Sequence, residues 1–76
     1  MLIKRYAFIR WLAEGRRGES AIYHIGNLMA DRQNGLDHQH VHAMGVSAWS
    51  AYKDKICALV QRKREDGLYE YIAVKL

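Results

Sequence analysis

The spacing of hydrophobic residues along this chain changes from a helical to a strand period near residue 56. In residues 2–14, apolar side chains from Leu2 to Leu12 recur every three or four positions, which predicts a helix with one apolar stripe. Residues 38–54 show the same spacing and predict a longer helix.

The segment between these helices has two interpretations. Residues 20–25, SAIYHI, form a short apolar run that is typical of a strand. Alternatively, Ser20 caps one helix that runs to Arg32, although Gly26 and Asn27 in its middle count against a single long helix. We favour a strand over 20–25 and a short helix over 27–33 capped by Asn27, but the sequence leaves the alternative open.

The C-terminal part of the chain predicts a β-hairpin. Residues 56–65 and 68–76 are rich in valine, isoleucine and tyrosine, and Asp66-Gly67 lies between them. An Asp-Gly pair between two such runs favours a two-residue turn with positive φ at both residues.

These elements give the order helix, strand, helix, helix, strand, strand. Asn34-Gly35 is predicted to end the second helix, and Asp37 to cap the third. The order is that of a winged helix, an α+β fold with three helices and a small antiparallel sheet that ends in a hairpin. With 76 residues, we expect one winged-helix-like domain over residues 1–76.

Composition narrows the functional classes. The single cysteine, Cys57, excludes an intramolecular disulfide framework and favours a reducing compartment, so we expect a cytoplasmic protein. No apolar run is long enough to span a membrane, and we expect no membrane association. The net charge of +4 and pI near 9.5 are compatible with a polyanionic partner.

Two stretches, YHIGNLMADR (23–32) and LVQRKREDGLYEYIAV (59–74), resemble a group of small proteins from bacteriophages and proteobacterial prophages. The matching residues of the first stretch are Tyr23, His24, Gly26, Leu28, Asp31 and Arg32. Those of the second are Leu59, Val60, Gln61, Arg62 and Arg64. The resemblance implies a phage-type origin in a host cell and adds little chemistry.

Two basic sites are candidates for phosphate contact. Arg62, Lys63 and Arg64 are consecutive, and on a strand the two arginines would share a face about 7 Å apart. That spacing is close to the phosphate repeat of one DNA strand. Arg16-Arg17 lies between two glycines in a loop. The alternatives are a charged edge hairpin that resists aggregation and a solvated loop.

Histidines form the other polar cluster. His38 and His42 would lie one helical turn apart, a spacing that suits a metal, but no second paired motif completes a site. We therefore expect no metal or cofactor and interpret His38, His40 and His42 as solvated side chains or a pH-dependent contact. His24 is interpreted as a hydrogen-bonded structural histidine in an internal polar network with Asp31 and Arg32.

The first functional hypothesis is a small DNA-binding transcriptional regulator with a basic wing. Its nucleic-acid-binding residues would be Arg16, Arg17, Gln39, Arg62, Lys63 and Arg64. The alternative is a non-catalytic module that binds a host protein through exposed Trp11, Tyr69 and Tyr71. A homodimer is compatible with either. A basic stripe between the two arginine sites would favour DNA, and an exposed apolar patch with scattered bases would favour protein.

Overall fold

The computed structural model describes residues 2–34 and 38–76, without the side chains of Arg32, Asn34 and His38. In chain order its elements are α1 (Arg5–Glu14), β1 (Ser20–Gly26), α2 (Leu28–Asn34), α3 (His38–Lys53), β2 (Cys57–Lys63) and β3 (Tyr69–Lys75). The α+β class and the element order are confirmed. The predicted turn at Gly35 and helix cap at Asp37 lie outside the described residues.

The first helix begins at Arg5, three residues later than the hydrophobic spacing predicts. Leu2 instead forms a parallel bridge with Ile22 of β1, and the Ile3 N–H donates to the Ile22 carbonyl at 2.8 Å. This pairing draws the start of the chain along the free edge of β1. The apolar spacing is the same in both conformations, so the sequence alone does not separate them.

The ambiguous middle segment is a strand followed by a short helix. β1 pairs with β3 from Ser20 opposite Val74 to Gly26 opposite Tyr69. The side chain of Asn27 then accepts a hydrogen bond from the Ala30 N–H at 3.2 Å and caps α2 as predicted.

The sheet is antiparallel throughout, with the strand order β1-β3-β2. It is therefore larger than the terminal hairpin, because β1 adds to the outer edge of β3. The last strand of the chain lies in the centre and contacts both neighbours along its length.

The turn of the hairpin differs from the predicted two-residue type. The Gly67 N–H donates to the Arg64 carbonyl at 3.1 Å, and the Arg64 N–H donates to the Leu68 carbonyl at 2.7 Å. Only Gly67 in this turn has a positive φ, 87°. This is the three-residue hairpin loop with a glycine bulge. Asp66 instead stabilises the turn through its carboxylate, which accepts from the Leu68 N–H at 3.0 Å.

The core lies between the helices and one face of the sheet. Its large members are Phe8 of α1, Tyr23 of β1 and Met44 of α3; the ring centroids of Phe8 and Tyr23 are 5.6 Å apart. Its other members are small: Ala21, Ala48, Ala51, Cys57 and Ala73. Small side chains let the helices approach the strands closely, so a few aromatic rings fill the remaining volume.

On the opposite face of the sheet, Val60 is exposed and Ile72 and Ile22 are partly exposed. Val60, Ile72 and Ile22 form a row across β2, β3 and β1 on this face. Strand alternation places them there, since their neighbours Leu59 and Ala73 pack with the core.

Stability should fall at alkaline pH because of Tyr23. Burial raises the pKa of its phenol to about 12, with smaller contributions from Cys57 and Tyr71. The phenol ionises in the unfolded chain near pH 10 and in the folded chain only near 12, so stabilisation is full below 10 and is lost as the pH rises to 12. Urea unfolding at several pH values should show a smaller loss over this range for Tyr23→Phe than for wild type. Tyr6→Phe, at an exposed tyrosine, is the control and should leave the loss unchanged.

Candidate interaction surfaces

The arginines of the hairpin are engaged by carboxylates of the same hairpin. Arg62 of β2 lies opposite Glu70 of β3, and its Nε donates to the Glu70 carboxylate at 2.8 Å. Arg64 lies 3.3 Å from the carboxylate of Asp66. β2 ends at Lys63, so Arg64 belongs to the turn. The two arginines therefore do not share one face of a regular strand, contrary to the prediction from the sequence.

The formal charges around the turn of the hairpin, over residues 62–70, balance. Its three bases, Arg62, Lys63 and Arg64, are matched by three acids, Glu65, Asp66 and Glu70. Lys63 is exposed and makes no ion pair with any residue that the structure describes. Exposed ion pairs are weak, and a phosphate can compete for their arginines. The field that would attract a polyanion to the hairpin is nevertheless small.

The second basic site lies at the other end of the sheet. The Gly18 N–H donates to the Lys75 carbonyl at 2.9 Å, which fixes the Arg16-Arg17 loop beside the end of β3. The hairpin turn precedes the start of the same strand, so about 20 Å of β3 separates the sites. Along the outer sheet face, the row of Val60, Ile72 and Ile22 lies between them. The two sites therefore form no continuous basic stripe along this face.

The outer side of α3 is apolar and aromatic in its second half. Gln39, the predicted base-reading residue, is exposed in the first turn. Val46, Trp49 and Tyr52 are 49%, 55% and 47% exposed, and the rings of Trp49 and Tyr52 lie 5.3 Å apart. We call these three residues the aromatic surface of α3. The helix carries no acidic residue, and its last residue, Lys53, directly follows Tyr52.

Sequence reasoning missed the aromatic surface because the helical spacing of residues 38–54 does not by itself show which side of α3 packs on the sheet. The signal that distinguishes them is the spacing of Ala48 and Ala51, which are buried on the other side of α3. Small residues three positions apart on a helix indicate the side that packs closely on the sheet. The bulky residues on the other side of the helix remain exposed.

The partner-anchoring aromatics predicted from the sequence are less exposed than expected. Trp11 packs on the core beside Phe8, with ring centroids 6.0 Å apart. Tyr71 also packs on the core, and its hydroxyl accepts a hydrogen bond from the Leu28 N–H at 3.0 Å. Tyr69 is half-buried, 6.4 Å from the ring of Tyr71. Trp11 and Tyr71 therefore stabilise the fold, because their side chains lie on faces that pack against the core.

Within the YHIGNLMADR stretch, His24, Asn27 and Asp31 form a local hydrogen-bond network. His24 Nε2 lies 2.7 Å from Asp31 Oδ2, and the same carboxylate accepts from the Asn27 N–H at 3.1 Å. A β-bulge at Tyr23 shifts the register, so that His24 lies opposite Tyr71 on the side of the sheet that faces α2. The predicted pairing of His24 with Asp31 is confirmed.

Gly26 completes this network because nothing larger fits. Its φ is +139°, and an added Cβ would lie 2.5 Å from Asp31 Oδ2. The spacing of histidine, glycine, asparagine and aspartate in this stretch therefore has a structural explanation: it fixes the junction of β1 and α2.

Cys57 and Lys75 lie at the opposite end of the sheet. Cys57 is fully buried, and burial raises the pKa of its thiol, an effect that Lys75 partly offsets. The protonated thiol is a poor nucleophile. Lys75 Nζ donates to the Leu12 carbonyl in the last turn of α1, where a cation is favourable.

The described residues contain no group of three or more metal-ligating side chains. His40 and His42 are both exposed on α3, and the side chain of His38 lies outside the described set. No helix in the described part of the chain is long and apolar enough to cross a membrane.

No family model, curated protein or solved structure matches this chain. The resemblance to phage and prophage proteins therefore stays a prediction, and the functional argument depends on the surfaces themselves.

Replacing Gly26 by alanine should destabilise the protein by about 2–4 kcal/mol, through the unfavourable φ and the clash with Asp31. The matched measurement is a double-mutant cycle with Asp31→Ala, followed by urea unfolding. Asp31→Ala removes the clashing carboxylate. Gly26→Ala should therefore lower the free energy of unfolding by less in the Asp31→Ala background than in wild type. Equal costs in both backgrounds would show that the clash is absent.

Proposed function

We propose that this protein is a non-catalytic module, built on a winged-helix scaffold, that binds a partner protein through the aromatic surface of α3. The scaffold assignment is supported by the element order and by the β1-β3-β2 sheet, with β1 added to the hairpin. On this scaffold α3 is the helix that usually recognises the ligand.

The observation that carries the proposal is the exposure of Val46, Trp49 and Tyr52 on one helix. Exposed apolar clusters of this kind mark interaction sites, and tryptophan and tyrosine dominate binding energy at protein interfaces. A helix that reads base edges relies on arginine, asparagine and glutamine, and α3 offers only Gln39.

The charges indicate the chemistry of the partner. α3 contains no carboxylate, the exposed Lys53, Asp54 and Lys55 at its end carry a net formal charge of +1, and the whole chain carries +4. A complementary partner surface is apolar in its centre and carries carboxylates around it. The resemblance to phage proteins makes a host protein the natural source of such a surface.

Trp49→Ala combined with Tyr52→Ala should remove partner binding and leave the fold intact, because both side chains are largely exposed. Tagged wild type and variant would be compared by affinity capture from a proteobacterial lysate and quantitative mass spectrometry. We expect at least a tenfold loss of a specific protein, which corresponds to about 1.4 kcal/mol.

Val60→Ala is the matched control, since it removes an equally exposed apolar side chain from the sheet. It should retain the partner. If the double variant captures the same proteins as wild type, the proposal is wrong. If sedimentation shows a wild-type dimer that the double variant breaks, the surface serves a second copy of the chain.

Duplex DNA is the second candidate, favoured by the winged-helix order and by the exposed Lys63 at the hairpin. Its predicted contacts remain Arg16, Arg17, Gln39, Arg62, Lys63 and Arg64. In its favour, α2 and α3 are followed directly by the hairpin, so one helix and the wing could contact the same duplex.

The formal charges of residues 62–70 in the hairpin balance, and this predicts weak binding to duplex DNA. Fluorescence anisotropy with a labelled random duplex should give a dissociation constant above about 100 µM at physiological salt. Arg62→Ala with Arg64→Ala should change the salt dependence little. Micromolar affinity together with a clear loss of salt slope in this variant would instead make the hairpin a phosphate-contacting wing.

A further inference from the structure

A groove between α1 and α3 is separate from every surface described above. It is lined by Lys4, Arg5, Tyr6 and Ile9 around the start of α1 and by His40 in the first turn of α3, and its volume is about 720 Å³. Nine residues, or two and a half helical turns, separate His40 from Trp49, so the groove and the aromatic surface lie on opposite sides of α3.

The groove combines apolar and cationic side chains. Tyr6 is 77% exposed and Ile9 is 47% exposed, which is unusual for large apolar residues on the same helix. Lys4 and Arg5 are exposed and make no ion pair within the described ranges 2–34 and 38–76. No acidic residue occurs in the first turn of either helix.

This composition distinguishes the groove from the basic sites predicted from the sequence. The arginines of the hairpin have carboxylate partners, whereas the cations of the groove have none among the described residues. A ligand carboxylate could therefore pair with Lys4 or Arg5 without displacing any carboxylate that the structure describes. Tyr6 and Ile9 would at the same time be removed from water by an apolar side chain of the ligand.

We propose that this groove binds a short amphipathic helical segment of another protein, with leucine or phenylalanine against Tyr6 and Ile9 and glutamate or aspartate beside Lys4 and Arg5. An open channel between two helices suits a helix in the groove. A small molecule would be buried too little, because small-molecule sites enclose most of their ligand. The site is independent of the aromatic surface of α3.

The test is an NMR titration of the ¹⁵N-labelled protein with a designed helical peptide. The peptide carries leucine and phenylalanine at positions i, i+3, i+4 and i+7, with glutamate beside them. A matched peptide has lysine in place of each glutamate. We expect the glutamate peptide to shift the amide resonances of residues 4–9 and of His40, and the lysine peptide to bind at least tenfold more weakly.

Variants assign the binding to the groove. Tyr6→Ala with Ile9→Ala should weaken binding of the glutamate peptide at least tenfold. Arg5→Glu should remove the preference for the glutamate peptide over the lysine peptide, because the formal charge of the Lys4–Arg5 pair falls from +2 to zero. Trp49→Ala is the control and should leave the affinity unchanged. Arg5 and Tyr6 are exposed, so we expect their substitution to leave the fold intact. The NMR spectrum of each variant verifies its folded state.

Three results would overturn the proposal. One is the absence of detectable binding by the glutamate peptide at concentrations up to about 1 mM. Another is binding that Trp49→Ala removes and the groove variants do not, which would assign the peptide to α3. The last is Tyr6-dependent binding to anionic phosphatidylglycerol vesicles without peptide binding, which would make this face a membrane surface.

Discussion

The inner face of β3 connects all three helices to the sheet, and the rest of the structure depends on these contacts. The Tyr71 hydroxyl accepts from the first N–H of α2, and Lys75 Nζ donates to a carbonyl in the last turn of α1. Between them Ala73 is fully buried in the cluster that contains Met44 of α3. Because β3 is also the central strand, one seven-residue segment fixes both the sheet and the helices.

This arrangement leaves different surfaces with different chemistry. On the hairpin, cations and carboxylates face one another across the strands, as Arg62 does with Glu70, and the resulting surface is polar but locally neutral. On α1 and α3, exposed aromatic residues such as Tyr6 and Trp49 lie near cations on helices with few acids. At the start of α1, the cations Lys4 and Arg5 therefore lie beside exposed apolar side chains, a combination that supports the proposed acidic protein partner.

The junction of β1 and α2 shows how a short motif can be structural. His24, Gly26, Asn27 and Asp31 are spaced so that one carboxylate contacts a side chain of the strand and the backbone before the helix. Gly26 is needed because of a backbone angle and a close contact, and neither involves a ligand. A sequence pattern of this kind identifies a fold-defining junction as readily as it identifies an active site.

The sequence alone indicated the local features: two of the helices, the cap at Asn27, the C-terminal hairpin and the polar network of His24 with Asp31. Each depends on residues close together in the chain, whose periodicity or hydrogen-bonding groups are visible in the sequence. The sequence left the strand over 20–25 open, and the pairing of β1 with β3 decided it. The tertiary structure decided that Leu2 pairs with β1, that Trp11 and Tyr71 face the core, and that Trp49 and Tyr52 do not. It also decided that Arg62 is ion-paired with Glu70, because these two residues meet only through strand pairing. Exposure and charge balance arise from contacts between distant segments, and the spacing of residues along one segment does not specify them.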